Sequence, residues 1–96
     1  MTPEGPDMAE MIHQLPDLVR ASDGVSYVVQ VWGENDERWH GWLVFIAADG
    51  SILRTGREMS KVSRAALLVW AMKLGRAQVK RALGRAFAPS AERPAA

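Results

Sequence analysis

The 96-residue sequence predicts an α+β domain with a short N-terminal helix, a three-stranded antiparallel meander and one long C-terminal helix packed on the sheet, in the order α-β-β-β-α. Three observations predict it. Between Val25 and Thr55, runs rich in β-branched and aromatic residues alternate along the chain and are separated by turn residues. From Lys61 to about Ala86 there is no proline, and apolar residues recur at helical spacing. A shorter run with that spacing, Met8 to about Gln14, follows Asp7, a residue suited to cap a helix.

Residues 1–7 hold Pro3, Gly5 and Pro6 and are expected to be a flexible leader. Met8, Met11, Ile12 and Leu15 form one apolar stripe on the first helix, which Pro16 interrupts. Asp17 to Arg20 adds a further turn before Ser22-Asp23-Gly24 ends it. Val25 to Trp32 is the first strand, with Tyr27, Val29 and Val31 on one face. Gly33 to Glu37 reads as a turn, and Arg38 to Ala47 as the central strand, with Trp39, Gly41, Leu43 and Phe45 on one face and His40, Trp42, Val44 and Ile46 on the other. Asp49-Gly50 turns the chain into a short third strand, Ser51 to Thr55. Ser60, or Ser63, caps the long helix. Its stripe of Ala65, Leu68, Met72, Val79, Leu83 and Ala86 suits packing on a sheet, while Leu67, Trp70 and Leu74 lie on another side. Gly75 marks a bend or break near the middle. One domain over residues 8–87, with a disordered tail at 88–96, is the resulting organisation.

Composition narrows the function classes. Apolar residues make up 48% and charged residues 24%, values of a globular chain. With no cysteine, disulfides and thiolate zinc sites are excluded. The start of the chain has no basic segment leading into an apolar run, so no signal peptide is expected. The longest apolar stretch, Ala65 to Met72, is far short of the ~20 residues of a membrane span. A cytoplasmic protein with no membrane contact is expected, and the wealth of Ala, Arg and Gly suits a high-GC bacterial or phage genome. The net charge of +1 hides a split. Residues 1–51 carry two basic side chains against nine acidic ones, a net of −7, and residues 52–96 carry ten against two, a net of +8. Such asymmetry points to an electrostatic partner, or to the two halves neutralising each other within a monomer or across a dimer.

Catalytic signatures are sparse. Glu10-Met-Ile-His13, with Asp17 four residues on, has the spacing of a helical metal motif, but a single copy reads as surface residues. His40, near Glu34, Asp36 and Glu37, is the candidate general base, with no nucleophile marked beside it. Phosphate-binding glycine loops and the nucleophile elbow are absent. A non-enzymatic protein without metal or cofactor is therefore expected. The basic run carries more weight. Arg54, Arg57, Lys61, Arg64, Lys73, Arg76, Lys80 and Arg81 suit phosphates or an acidic protein surface, with Arg57/Lys61/Arg64 and Lys73/Arg76/Lys80 each on one face if helical. The competing reading is a solvated helix face. For an apolar partner the candidates are Leu67, Trp70, Leu74 and Trp42, and a homodimer through the helix or the open sheet face is the preferred use.

The helix, three strands and helix resemble the topology of the double-stranded-RNA-binding domain, and Ser60-Lys61 with Ala65-Ala66 is similar to that family's basic helix start. Pro16 and the acidic turn Glu34 to Glu37 depart from it, the latter placing negative charge where that family touches RNA. Val31-Trp32-Gly33-Glu34, Trp39-x-Gly41-Trp42-Leu43-x-Phe45, Leu53-Arg54-Thr55-x-Arg57-Glu58, Arg64-x-Ala66-Leu67 and Trp70-Ala71 resemble an uncharacterised family of small bacterial α+β proteins over about residues 27–87. That resemblance implies no activity, and it singles out Arg54, Arg57 and Glu58, whose simplest role is to pair and hold the strand-to-helix junction. Together these features predict a small module that binds another macromolecule, a protein first and a nucleic acid as the alternative.

Overall fold

The computed structural model describes residues 9–89; the expected flexible leader, the first residue of the expected N-terminal helix and the tail beyond Pro89 lie outside them. In chain order come β1 (Glu10–Gln14), β2 (Val19–Arg20), β3 (Ser26–Asp36), β4 (Arg38–Ala47), β5 (Ile52–Arg54), β6 (Met59–Lys61), α1 (Arg64–Met72) and α2 (Arg76–Arg85). All pairings are antiparallel. The sheet is four positions wide. β3 and β4 form its centre, and each edge is made of two collinear segments, β1 and β2 beside β3, and β5 and β6 beside β4.

The α-β-β-β-α layout is therefore corrected at both ends. Residues 10–14 are an edge strand, not a helix. A seven-residue helix cut short by Pro16 is well below the ~12–15 residues an isolated helix needs, whereas β3 presents a row of unpaired backbone groups. β1 takes them with a bulge between Met11 and His13, and Leu15 donates to the Val29 carbonyl at 3.0 Å. Pro16 breaks the edge strand where it was expected to break the helix. Ser22-Asp23-Gly24, read as a helix end, turns β2 into β3. Its geometry repeats at Ala48-Asp49-Gly50. In both, glycine has positive φ (91° and 90°) and the aspartate accepts from the amide two residues on. These are three-residue hairpin loops with glycine in the left-handed position.

The expected single helix over 61–86 is also replaced. Met59–Lys61 pairs with β4, Ser63 and not Ser60 caps α1, and the chain turns at Lys73–Gly75 before α2. One straight helix of that length would run ~39 Å, longer than a ten-residue strand of ~33 Å. Folding it in two brings Leu67 and Ala71 of α1, and Val79 and Ala82 of α2, onto the same sheet face, where all four are buried. With both ends changed, the element order behind the likeness to a double-stranded-RNA-binding domain is not present.

The core lies between the helices and the face formed by Tyr27, Val29 and Val31 of β3 with Leu43, Phe45 and Ala47 of β4. Tyr27 meets Phe45 edge-on, ring centres 6.2 Å apart. The molecule is only 19 Å thick against 39 and 38 Å across, the depth of one sheet and one helix layer. Helices therefore cover one sheet face and leave the other bare.

Between β5 and β6 the ladder is interrupted, and a side chain fills in. Thr55, fully buried, accepts from the Leu43 amide at 3.1 Å through Oγ1 and donates to the Gly56 carbonyl at 2.8 Å. Thr55→Val keeps the shape and strands the buried Leu43 N–H, so a loss of about 1–3 kcal/mol is expected. It would be read as a lower urea midpoint with unchanged m-value. On the outer side of β5, Arg54 and Phe87 exchange both backbone hydrogen bonds (2.8 and 2.9 Å), so the chain returning from α2 closes that edge.

The turn before β5 carries a second expectation. The Ser51 hydroxyl (2.7 Å) and then the Ser51 amide (2.9 Å) donate to the Asp49 carboxylate and hold it below its ordinary value. A carboxyl lowered on folding contributes stability above its unfolded value, and that contribution is lost as pH falls through the folded value. Protection of the Ser51 amide, corrected for intrinsic exchange, should fall on acidification below 3.8.

Candidate functional site

The apolar candidates on the helices face inward. Leu67 is completely buried over Gly33 and Gly41, which stand directly opposite each other on β3 and β4. A Cβ on Gly33 would come within 2.6 Å of one Leu67 methyl, and a Cβ on Gly41 within 2.8 Å of the other. The two glycines thus form a socket, and Gly33 belongs to the strand; the chain reverses at Glu37, the one non-glycine residue with positive φ (69°) among the described residues. Trp70 and Leu74 are partly buried and pack on the same core. The large apolar residues that α1 leaves exposed are Val69 and Met72.

The bare sheet face is ordered in rows. Trp32 faces Trp42, Gln30 faces Val44, and Val28 faces Ile46, with Met11 and Ile52 exposed at the flanks. Trp42 is nonetheless buried, because the Arg54 guanidinium sits 4.7 Å over its ring. Gln14, Gln30 and the Trp32 indole are linked by hydrogen bonds. The face becomes polar towards the β3–β4 turn. There His40 and Ser60 are directly opposed on β4 and β6, and Ser60 Oγ lies 2.8 Å from His40 Nδ1. His40 Nε2 is 3.2 Å from the Asp36 carbonyl. A carbonyl only accepts, so Nε2 is the donor of that contact, and in the neutral ring with that tautomer Nδ1 accepts from the Ser60 hydroxyl. Sequence spacing gave no hint of Ser60; only the β4–β6 register brings it to His40. The pair stands on regular strand positions, and neither of the two clefts described below is lined by it.

Of the basic residues from Arg57 to Arg85, some are ion-paired and others are not. Arg57 pairs with Glu34 (2.6 Å) and Asp36 (3.5 Å), Arg64 with Glu10 (2.7 Å), and Arg85 with Glu58 (2.5 Å). The Glu34 carboxylate, with Asp36 behind it, raises the Arg57 pKa. These pairs include three acids of the front half, so the charge split is partly neutralised inside the monomer. They also separate Arg57, Lys61 and Arg64, which lie on a loop, on β6 and on α1 and do not share a helix face. On β1, Glu10 faces Arg64 while His13 lines a cleft, so the helical juxtaposition of the two is gone. Among the described residues no group of three or more acids and histidines could hold a metal.

Lys61, Lys73, Arg76, Lys80 and Arg81 make no ion pair among the described residues. Lys73 ends α1, Arg76 begins α2, and Lys80 and Arg81 follow one turn later; all four are exposed. Chain reversal therefore gathers Lys73, Arg76 and Lys80 at one corner, and α2 itself contains no acid. Beside this corner a cleft of about 180 Å³ opens between the Pro16 break and the α1–α2 turn. A second cleft, about 200 Å³ and more polar, lies under Trp70 and Leu74 and is bordered by Glu58, Arg81 and Arg85.

No protein-family model, curated protein or solved structure matches the chain. Its own geometry therefore carries the functional reading.

Proposed function

We propose that the protein is a non-enzymatic binding module that docks on an acidic surface of another protein through Lys73, Arg76, Lys80 and Arg81. The observation behind this reading is the division of the basic residues. Arg57, Arg64 and Arg85 are engaged in ion pairs within the monomer, while these four stand exposed and unpaired among the described residues on one corner and one helix. A cation without an internal partner keeps its full capacity to steer and pair with an anionic surface. The same run supports a second reading, phosphate binding, because α2 has no acid to repel a nucleic-acid backbone. Anisotropy titrations with a labelled acidic peptide, duplex DNA and double-stranded RNA, at low and moderate salt, test both. Absence of binding to all three at low salt would sink the reading.

The homodimer expected from the sequence has the outer sheet face around Trp32, Val44 and Ile46 left to use, since Leu67 is enclosed and Trp70 and Leu74 pack inward. Sedimentation equilibrium checks this, a monomer mass removing the dimer. Among the described residues no helix is long and apolar enough to cross a membrane, and a cytoplasmic setting fits the absence of cysteine. As a non-enzyme, the protein should form no covalent adduct at Ser60 with a fluorophosphonate probe; an adduct lost in His40→Ala would instead assign a nucleophile.

A further inference from the structure

We infer that the cleft beside the basic corner is an anchor site for one apolar side chain of the acidic partner. This rests on the docking reading above and adds the recognition element to it. Leu15, Leu18, Met72, Leu74 and Val79 give the cleft aliphatic walls. Leu18 and Met72 are each 62% exposed, although both are large apolar residues on a small domain. Scattered apolar residues need no explanation, but two that line one concavity from separate segments of the chain mark a contact surface.

Size selects the occupant. At about 180 Å³ the cleft is below the ~300–1,000 Å³ of sites for whole small molecules or cofactors. It is close to the ~150 Å³ that holds a single benzene ring, so a leucine or phenylalanine side chain fits. The lining is mostly aliphatic, with His13 its one ring, which favours a peptide's apolar side chain over the stacked bases of a nucleic acid. Charge then orients the occupant. Arg76 lines the cleft on the helix side, with Lys73 preceding it in the turn and Lys80 one turn on, whereas Asp17 and His13 line the strand side. Acidic residues of the partner are thus drawn to the helix side of the anchor and repelled by Asp17 on the other.

The test uses a short fluorescein-labelled peptide of glutamates and serines with one central leucine, and the same peptide with serine at the centre, titrated at low salt into the full chain. The leucine peptide should bind about tenfold tighter or better, the return expected for burying one such side chain. Leu18→Ser/Met72→Ser should abolish that preference, leave binding of the serine peptide unchanged and keep a native melting profile, since both residues are exposed. The Met72 methyl resonance should shift only with the leucine peptide. Equal binding of the two peptides, or a preference that survives the double substitution, would overturn the anchor while leaving charge-mediated docking in place. Binding of neither peptide would overturn both readings, and binding of duplex DNA alone would replace them with phosphate recognition.

Discussion

Leu67→Ala is expected to destabilise the protein by about 3–5 kcal/mol, the upper part of the range for a buried leucine. The cost depends on whether the surroundings can collapse into the space left behind, and here they cannot readily do so. The floor under Leu67 is Gly33 and Gly41, directly paired across the central hairpin, with no side chains to move into the gap. A domain of this length holds only about 5–15 kcal/mol in total, and each kcal/mol moves the melting point by about 4–8 °C. The variant should therefore melt more than ten degrees lower or fail to fold, as circular dichroism would show. The converse substitution tests the same socket. A Cβ on Gly33 meets a Leu67 methyl at 2.6 Å, the His40 carbonyl at 3.2 Å and Ile12 at 3.2 Å, so Gly33→Ala should overpack by about 1–3 kcal/mol. In the Leu67→Ala background part of that clash disappears, and the double variant should be more stable than the sum of the singles. Strict additivity would mean that the socket is not what holds helix and sheet together.

Reversing Lys73, Arg76 and Lys80 to glutamate is the second large effect expected, a loss of about a hundredfold or more in affinity for an acidic peptide at low salt. None of the three makes an ion pair among the described residues and all are exposed, so stability should change little. Arg57→Gln is the matched control. Arg57 is also basic and exposed, but it is engaged by Glu34 and Asp36, and its loss should leave affinity nearly unchanged. If Arg57→Gln weakened binding as much as Arg76→Gln, which removes the same single charge, overall charge would be the agent and not the α1–α2 corner. Raising salt should bring wild-type affinity towards that of the reversed variant, because exposed charges are screened over about a Debye length.

The elements legible in the sequence were those whose patterns admit one partner geometry. Val25 to Trp32 and Arg38 to Ala47 are rich in β-branched and aromatic residues and too short between turn residues to be helices, so each reads as a strand, and the apolar second half of Arg38 to Ala47 suits a central position. Asp49-Gly50 needs a left-handed residue, and Gly50 supplies it. Where a pattern served two structures equally well, local reading went wrong. Met8, Met11, Ile12 and Leu15 fit a helical stripe, yet Ile12 and Leu15 also face the core from a bulged edge strand. Gly33 looks like a turn residue until Leu67, 34 positions away, is seen to require a bare backbone there.

For the candidate site, the basic residues and the charge split were visible in the sequence, because charge is a property of composition. Which cations are free was not. Pairing of Arg57 with Glu34 and of Arg64 with Glu10 joins residues 23 and 54 positions apart, and such distances are set only when the sheet register is complete. Leu67, Trp70 and Leu74 were read as partner-facing because they lie on another side of the helix from the stripe assigned to the sheet; the turn at Lys73–Gly75, where Gly75 marked a bend or break, lets both helices lie on the sheet with those residues inward. Local patterning settled the two central strands, and composition the total of positive charge. The tertiary structure alone decided which surface stays open and which charges stay unpaired, since both depend on contacts between segments that no local pattern brings together.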